Sequence, residues 1–280
     1  MGVTMGVAIL QRRNKSKSEQ SMRIALGIEY DGSQFCGWQF QDHSPSVQAS
    51  VEHAIGNVAA HPVRVICAGR TDTGVHALNQ VIHFDSESQR SERAWILGCN
   101  ANLPKSVVVT WAKAVNDDFH ARFSARRRRY RYVIFNRAVR PTFLAYRVCW
   151  QHKALDATRM AEAAQHLVGR HDFSAYRAAG CQAKDPTREI FELKVQRRDD
   201  FVFIDIEANA FLHHMVRNIA GVLMTIGCGE QDSAWSRRVL EGKDRRQGGV
   251  TAVPYGLYLT DVEYEAAFAL PRPEKTLTIW

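Results

Sequence analysis

Residues 23–32 read Arg-Ile-Ala-Leu-Gly-Ile-Glu-Tyr-Asp-Gly. Ile24, Leu26 and Ile28 fall on alternate positions, and the run stops at Asp-Gly. A period of two predicts a strand with one face in a core, and Asp-Gly supplies the turn that ends it. Downstream, Val47, Val51, Ile55 and Val58 recur three or four residues apart, which predicts an amphipathic helix with Ser44 or Ser46 as its N-cap. Apolar runs at 63–69 and 80–85 predict two strands, separated by a polar loop over 71–79. A helix around 91–98 and a strand over 107–115 follow. The order β-α-β-β-α-β is that of a ferredoxin-like unit.

The second half mixes the same elements. A strand is expected from the basic run onward, with Tyr130, Tyr132 and Ile134 on one face and Arg131, Val133 and Phe135 on the other. A helix is expected over 154–168 and a loop over 180–185. Residues 189–198 and 201–210 suit a hairpin across Asp199 and Asp200. A long helix over 211–226, a shorter one near 233–241 and a strand over 256–264 complete the pattern. The fold class is α+β: two ferredoxin-like or RRM-like halves with a mixed, largely antiparallel sheet and flanking helices. The expected division is a flexible tail over 1–21, an N-terminal domain over 22–118 and a C-terminal domain over 119–280.

Composition narrows the class. Of 280 residues, 45% are apolar and 24% charged, enough for a globular core. No run of 18 apolar residues exists, so no membrane span is expected. Lys and Arg number 37 against 29 Asp and Glu, a net charge of +8. A basic surface suits a polyanion, because each neutralised phosphate releases condensed counterions. Six cysteines without C-x-x-C spacing read as reduced thiols of a cytoplasmic protein. Eleven histidines without H-E-x-x-H spacing give no sign of a metal. The apolar stretch before Arg12 is too short for a signal-peptide core.

Three segments could carry chemistry. Residues 68–77, Ala-Gly-Arg-Thr-Asp-Thr-Gly-Val-His-Ala, put a carboxylate, an arginine and two glycines into a loop between strands. Asp72 can serve there as nucleophile, acid-base group or ligand; the plainer alternative is a surface turn closed by Asp72 itself. The stretch 122–140 interleaves eight arginines with Tyr130, Tyr132 and Phe135. Arginines grip phosphates and aromatic rings stack on unpaired bases, and a single-sign run repels itself without a partner. Within 211–218, His213 and Arg217 stand one helical turn apart on an apolar helix, where an arginine needs an anionic partner.

Together these segments resemble the TruA family of tRNA pseudouridine synthases. The resemblance rests on GRTDTGVHA at 69–77, NANLP at 100–104, DDFHARFSA at 117–125, RRYRY at 128–132 and FLHHMVRNIAG at 211–221. It runs from about Met22 to Tyr264; Thr73, where the family most often has alanine, and the arginines at 126–127 depart from its pattern. The resemblance implies the pseudouridine synthase fold and a cofactor-independent, metal-free isomerase. The family acts on uridines 38, 39 and 40 of the tRNA anticodon stem-loop, as a homodimer. It implies Asp72 as nucleophile, Arg70 filling the space of the flipped base, Tyr130 stacking on the target base and Arg217 paired with Asp72. Phe119, His120, Ala121, Arg122 and Phe123 would contact tRNA, as would Gly180, Cys181, Gln182, Ala183 and Lys184. Two rivals compete with that reading. A non-catalytic RNA-binding protein has no use for Asp72, Arg70 and Arg217 together. A metal-dependent nuclease ordinarily needs a second carboxylate beside Asp72.

Overall fold

The computed structural model describes residues 21–272, so the tail expected over 1–21 lies almost wholly outside the described residues. Ten strands form one sheet in the order β4-β1-β3-β10-β5-β9-β8-β7, with β2 attached to β3 and β6 to β5. The first half supplies β1 (Met22–Tyr30), α1 (Val47–Ala59), β2 (Ile66–Cys67), β3 (His76–Ser86), α2 (Glu92–Asn102) and β4 (Val107–Val115). The second supplies β5 (Arg127–Asn136), β6 (Cys149–Gln151), α3 (Ala157–Gln165), β7 (Gly169–Asp172), β8 (Thr187–Arg198), β9 (Phe201–Ala208), α4 (Met215–Gly227), α5 (Trp235–Gly242) and β10 (Leu257–Glu263). The α+β fold class expected from the sequence is the one observed, and the order β-α-β-β-α-β of the first half is as read.

The alternation of 24–30 does set the core. Ile24, Leu26, Ile28 and Tyr30 are buried with Val47, Val51 and Ile55 of α1 and Trp95 of α2. Buried residues of α3, α4 and α5 join the same cluster, so all five helices pack into one core. Strand β5 faces two ways as predicted: Tyr130, Tyr132 and Ile134 enter that core, while Val133 and Phe135 join a smaller cluster with Val148, Phe203 and Tyr258. Ser46 caps α1 through its hydroxyl, which accepts from Ala49 N–H at 3.2 Å. The β8–β9 hairpin turns at Asp199 and Asp200, with Arg198 opposite Phe201.

Several boundaries differ from the sequence reading, each for a physical reason. Strand β2 has only two residues because Val65 N–H is taken by the Glu52 carboxylate of α1 at 3.1 Å. Strand β3 begins at His76, inside the stretch read as a loop. Asn79 ends the stretch read as a loop and Gln80 opens the predicted strand; both are buried and their amides are used: Asn79 donates to Asp261 at 3.0 Å and Gln80 to Gly69 O at 2.6 Å. Strands β6 and β7 have three and four residues, too few to show a period. Helix α3 starts at Ala157, where the Asp156 carboxylate accepts from Thr158 and Arg159 N–H. Helix α4 starts at Met215 rather than 211, because His214 adopts a left-handed conformation (φ 60°, ψ 7°) that no helix can pass through.

The halves are joined by β10. It pairs antiparallel with β5 and parallel with β3, through Tyr258 opposite His76 and Leu259 opposite Ala77. The chain before β10 crosses α4 at Gly221, where an added Cβ would lie 1.9 Å from Val250 O. Ala252 N–H donates to Arg217 O at 3.1 Å in the same crossing. Gly221→Ala should therefore destabilise the protein by about 1–3 kcal/mol through overpacking, although alanine favours a helix over glycine by about 1 kcal/mol. Urea unfolding of the variant measures this; a gain in stability would mean that residues 249–252 can lift off α4 freely.

Candidate active site

Asp72 sits in the loop between β2 and β3, and four elements hold that loop. Tyr30 at the end of β1 bonds Thr71 Oγ1 at 2.7 Å. Trp38 N–H donates to Thr71 O at 3.0 Å and Gly74 N–H to Phe35 O at 3.3 Å. Gly37 has φ +90° and its missing Cβ would stand 2.8 Å from Thr71 O, so only glycine lets the 35–38 segment lie against the loop. Gln80 on β3 binds both backbone groups of Gly69, and Arg128 on β5 donates to Ala68 O at 3.0 Å.

The Asp72 carboxylate is about a quarter exposed and meets three side chains from residues 213–217. Arg217 Nη1 donates to Oδ2 at 3.0 Å. His214 Nε2 lies 3.3 Å from Oδ2 and His213 Nε2 lies 3.5 Å from Oδ1. Arg217 is itself fixed, since its Nε donates to Ala252 O at 2.8 Å. The expected Asp72–Arg217 pair is thus in place, formed between residues 145 apart in the chain. The two histidines had no assigned role, and their adjacency to Arg217 in FLHHMVRNIAG was the signal for them. His213 and Arg217 converge by a different route from a shared helical face, because His213 precedes α4. Burial holds the His214 imidazole below its ordinary pKa, with Arg217, His213 and Arg245 adding in the same direction and Asp72 opposing them.

Asp72, His213 and His214 place three potential metal-ligating atoms within 4.8 Å of one another. Arg217 already supplies positive charge at Oδ2 and would repel a cation there. Tyr130 lies close by: a Cβ on Gly69 would stand 3.8 Å from its hydroxyl. Its ring meets Phe211 edge-on at 5.0 Å. Burial raises the Tyr130 pKa above its usual value, so the phenol stays protonated at neutral pH. Arg70, two residues before Asp72, is exposed.

The other expected contacts divide by exposure. Phe119 and Ala121, expected within the tRNA-contacting segment 119–123, are fully buried. Phe119 packs edge-on against Phe268 and His83, and Ala121 is pinned through its backbone by His83 and Tyr264. His120 is half-buried, whereas Arg122 and Phe123 are exposed, with the Arg122 guanidinium 5.4 Å from the Phe123 ring centre. In the 180–184 loop, Gly180, Gln182 and Lys184 are exposed, while Cys181 and Ala183 pack partly against the core.

The basic strand also differs from expectation, because its arginines have partners. Arg131 grips Asp205 at 2.7 and 3.0 Å. Arg127 and Arg129 share Glu207, and Arg129 reaches Asp261 and Glu263 at 3.3 Å. Arg126 pairs with Glu265. Arg128 is buried and donates to the carbonyls of Ala68, Arg122, Ala125 and Asn209 at 2.8–3.1 Å. Cross-strand register puts these acids opposite the arginines, so the run repels itself far less than its sequence suggests.

Comparison with known proteins agrees with this geometry. A family model described as tRNA pseudouridine synthase matches residues 27–124 and 163–265. The chain belongs to that family, a class of isomerases acting on tRNA. A tRNA pseudouridine synthase A of Pseudomonas aeruginosa is 57% identical over 250 residues, covering 89% of this chain and 88% of that protein. One of Coxiella burnetii is 54% identical over 250 residues, covering 89% and 96%. One of Nitrosococcus oceani is 56% identical over 259 residues, covering 92% and 100%. Among the described residues, no helix is long and apolar enough to cross a membrane.

A pH dependence follows from His83, which anchors the 119–123 segment. Its Nδ1 accepts Ala121 N–H at 3.1 Å, a bond that requires an unprotonated nitrogen. Burial, with His120 and Arg23 nearby, pushes its pKa from 6.5 down to about 4 despite Asp85. As pH falls below about 6.5 the unfolded chain takes a proton there first. The stability from this group is complete above that pH and is lost on the way down to about 4. Urea unfolding between pH 7 and 4 should show wild type losing stability more steeply than His83→Gln; parallel curves would remove His83 from the account.

Proposed function

We propose that this chain converts uridine to pseudouridine at positions 38, 39 and 40 of the tRNA anticodon stem-loop, with Asp72 as nucleophile and no cofactor. The observation that carries the reading is the Asp72–Arg217 pair at 3.0 Å, in a loop held by four elements and open to solvent on one side. An oriented, partly exposed carboxylate is what nucleophilic attack needs. Asp72 attacks the sugar anomeric carbon or the base. The N1–C1′ bond breaks, uracil turns, and C5 bonds to C1′ as Asp72 leaves. The C5 proton is lost and N1 gains one, so atoms balance as an isomerisation. Uracil has to stay trapped while it turns, since water would otherwise leave an abasic site.

On this reading Tyr130 stacks on the target base and Arg70 enters the gap left by the flipped nucleotide. Arg122, Phe123 and the exposed residues of 180–184 lie against the tRNA. Residues 22–118 bring the nucleophile and 119–280 bring Arg217 and Tyr130, as two halves of one site. Two copies of the chain would share one tRNA in the cytoplasm.

The test uses tRNA carrying tritium at uracil C5, in excess EDTA. Wild type should release tritium to water as the new C–C bond forms. Asp72→Ala should release at least about 10⁴-fold more slowly, with tRNA affinity little changed. Equal release by the two proteins would remove Asp72 as the nucleophile, and activity lost in EDTA would restore a metal-dependent reading.

A further inference from the structure

A second basic site lies beside the first, on residues to which the family resemblance gave no role. A cavity of about 250 Å³ opens between the 174–179 segment and residues 243–245. Arg177, Lys243, Asp244 and Arg245 line it. Two of these charges are matched locally. Lys243 lies 3.4 Å from Asp172, and the Asp244 carboxylate is held by Arg246 at 2.7 Å. The two arginines are not matched. Among the described residues, Arg245 Nη2 donates only to neutral oxygens, Asn218 Oδ1 at 3.0 Å and Thr251 Oγ1 at 2.9 Å. Arg177 is half-buried, and among the described residues its guanidinium has no acceptor.

The contrast with β5 is what gives this pocket weight. There, each arginine from 126 to 131 has a carboxylate or a set of carbonyls. Here two guanidinium groups share a concave surface without a single uncommitted carboxylate. A half-buried guanidinium without an anion keeps donors for a ligand, and its planar fork suits phosphate. Arg245 is also held in position: Asn218, itself buried, donates to Tyr176 O at 2.8 Å and accepts from Thr251 at 2.7 Å.

The pocket adjoins the catalytic carboxylate. Ala178 N–H donates to His213 O at 2.9 Å, and His213 reaches Asp72. Asn218, which holds Arg245, follows Arg217 in α4. We propose that Arg177 and Arg245 bind a phosphodiester of the RNA strand next to the nucleotide presented to Asp72. The inference rests on the tRNA-modifying reading and adds a ligand site to it. Holding that phosphate fixes the sugar of the extruded nucleotide against the carboxylate, which is a positioning role.

The experiment measures binding of an anticodon stem-loop RNA over a range of salt, with wild type, Arg177→Ala and Arg177→Lys. Arg177→Ala should bind roughly tenfold more weakly and lower the slope of log affinity against log salt by about one. Arg177→Lys should keep the slope. A series of RNAs, each with one phosphate beside a target uridine replaced by neutral methylphosphonate, then locates the contact. One of these RNAs should bind wild type more weakly yet bind Arg177→Ala no worse than the unmodified RNA does. An unchanged slope in Arg177→Ala, or losses that add at every phosphate, would overturn the proposal. Wild type that shows the slope change but releases no tritium from labelled tRNA would leave the pocket standing and sink the isomerase reading.

Discussion

Strand β10 is the constraint on which the site depends. It enters the sheet between β3 and β5, strands from opposite halves of the chain, and touches β3 through just two register positions. Those positions, His76 and Ala77, begin four residues after Asp72. The segment leading into β10 passes over α4 at Gly221 and bonds Arg217 from both its backbone and its guanidinium. One stretch of chain, roughly 249–259, therefore sets the position of the nucleophile loop on one side and of its cationic partner on the other. His76 reinforces the joint, stacking on Tyr258 at 4.6 Å and lying 3.1 Å from Tyr255 O through Nε2.

Charge is distributed in two different ways. The arginines of β5 face acids on β9 and β10, where cross-strand geometry pairs them and holds the sheet in register. Arg128 goes further, joining the Asp72 loop, the 122–125 segment and the end of β9 through four carbonyls. Its burial without a carboxylate lowers its pKa, a cost offset by four charge-assisted hydrogen bonds. Other cations stand off that ladder: among the described residues, Arg70, Arg122, Arg177 and Lys184 pair with no carboxylate.

Around Asp72 the protein places one permanent cation and two imidazoles. Arg217, fixed by its own bond to Ala252 O, orients the carboxylate through its 3.0 Å bond to Oδ2. Against the pull of Asp72, burial disfavours the charged form of His214. Its left-handed backbone costs free energy, and its side chain caps no helix N–H in return. That conformation instead aims the imidazole at Asp72.

Most elements were legible in the sequence because their causes are local. Alternation at 24–30 and 107–115, the three-and-four spacing of α1, the Ser46 cap and the Asp199–Asp200 turn are properties of neighbouring residues. The loop at 68–77 and the motif at 211–221 could likewise be singled out, and their resemblance to a known family pointed to Asp72 and Arg217. What the sequence could not supply is everything set by register between distant strands. The insertion of β10, the acids opposite the arginines of β5, the burial of Phe119 and Ala121, and the two histidines on Asp72 all depend on contacts between distant parts of the chain. A polar residue such as Asn79 reads as loop until its partner, Asp261, is known. An arginine reads as a nucleic-acid contact until the strand beside it is known, and only the tertiary structure supplies that strand.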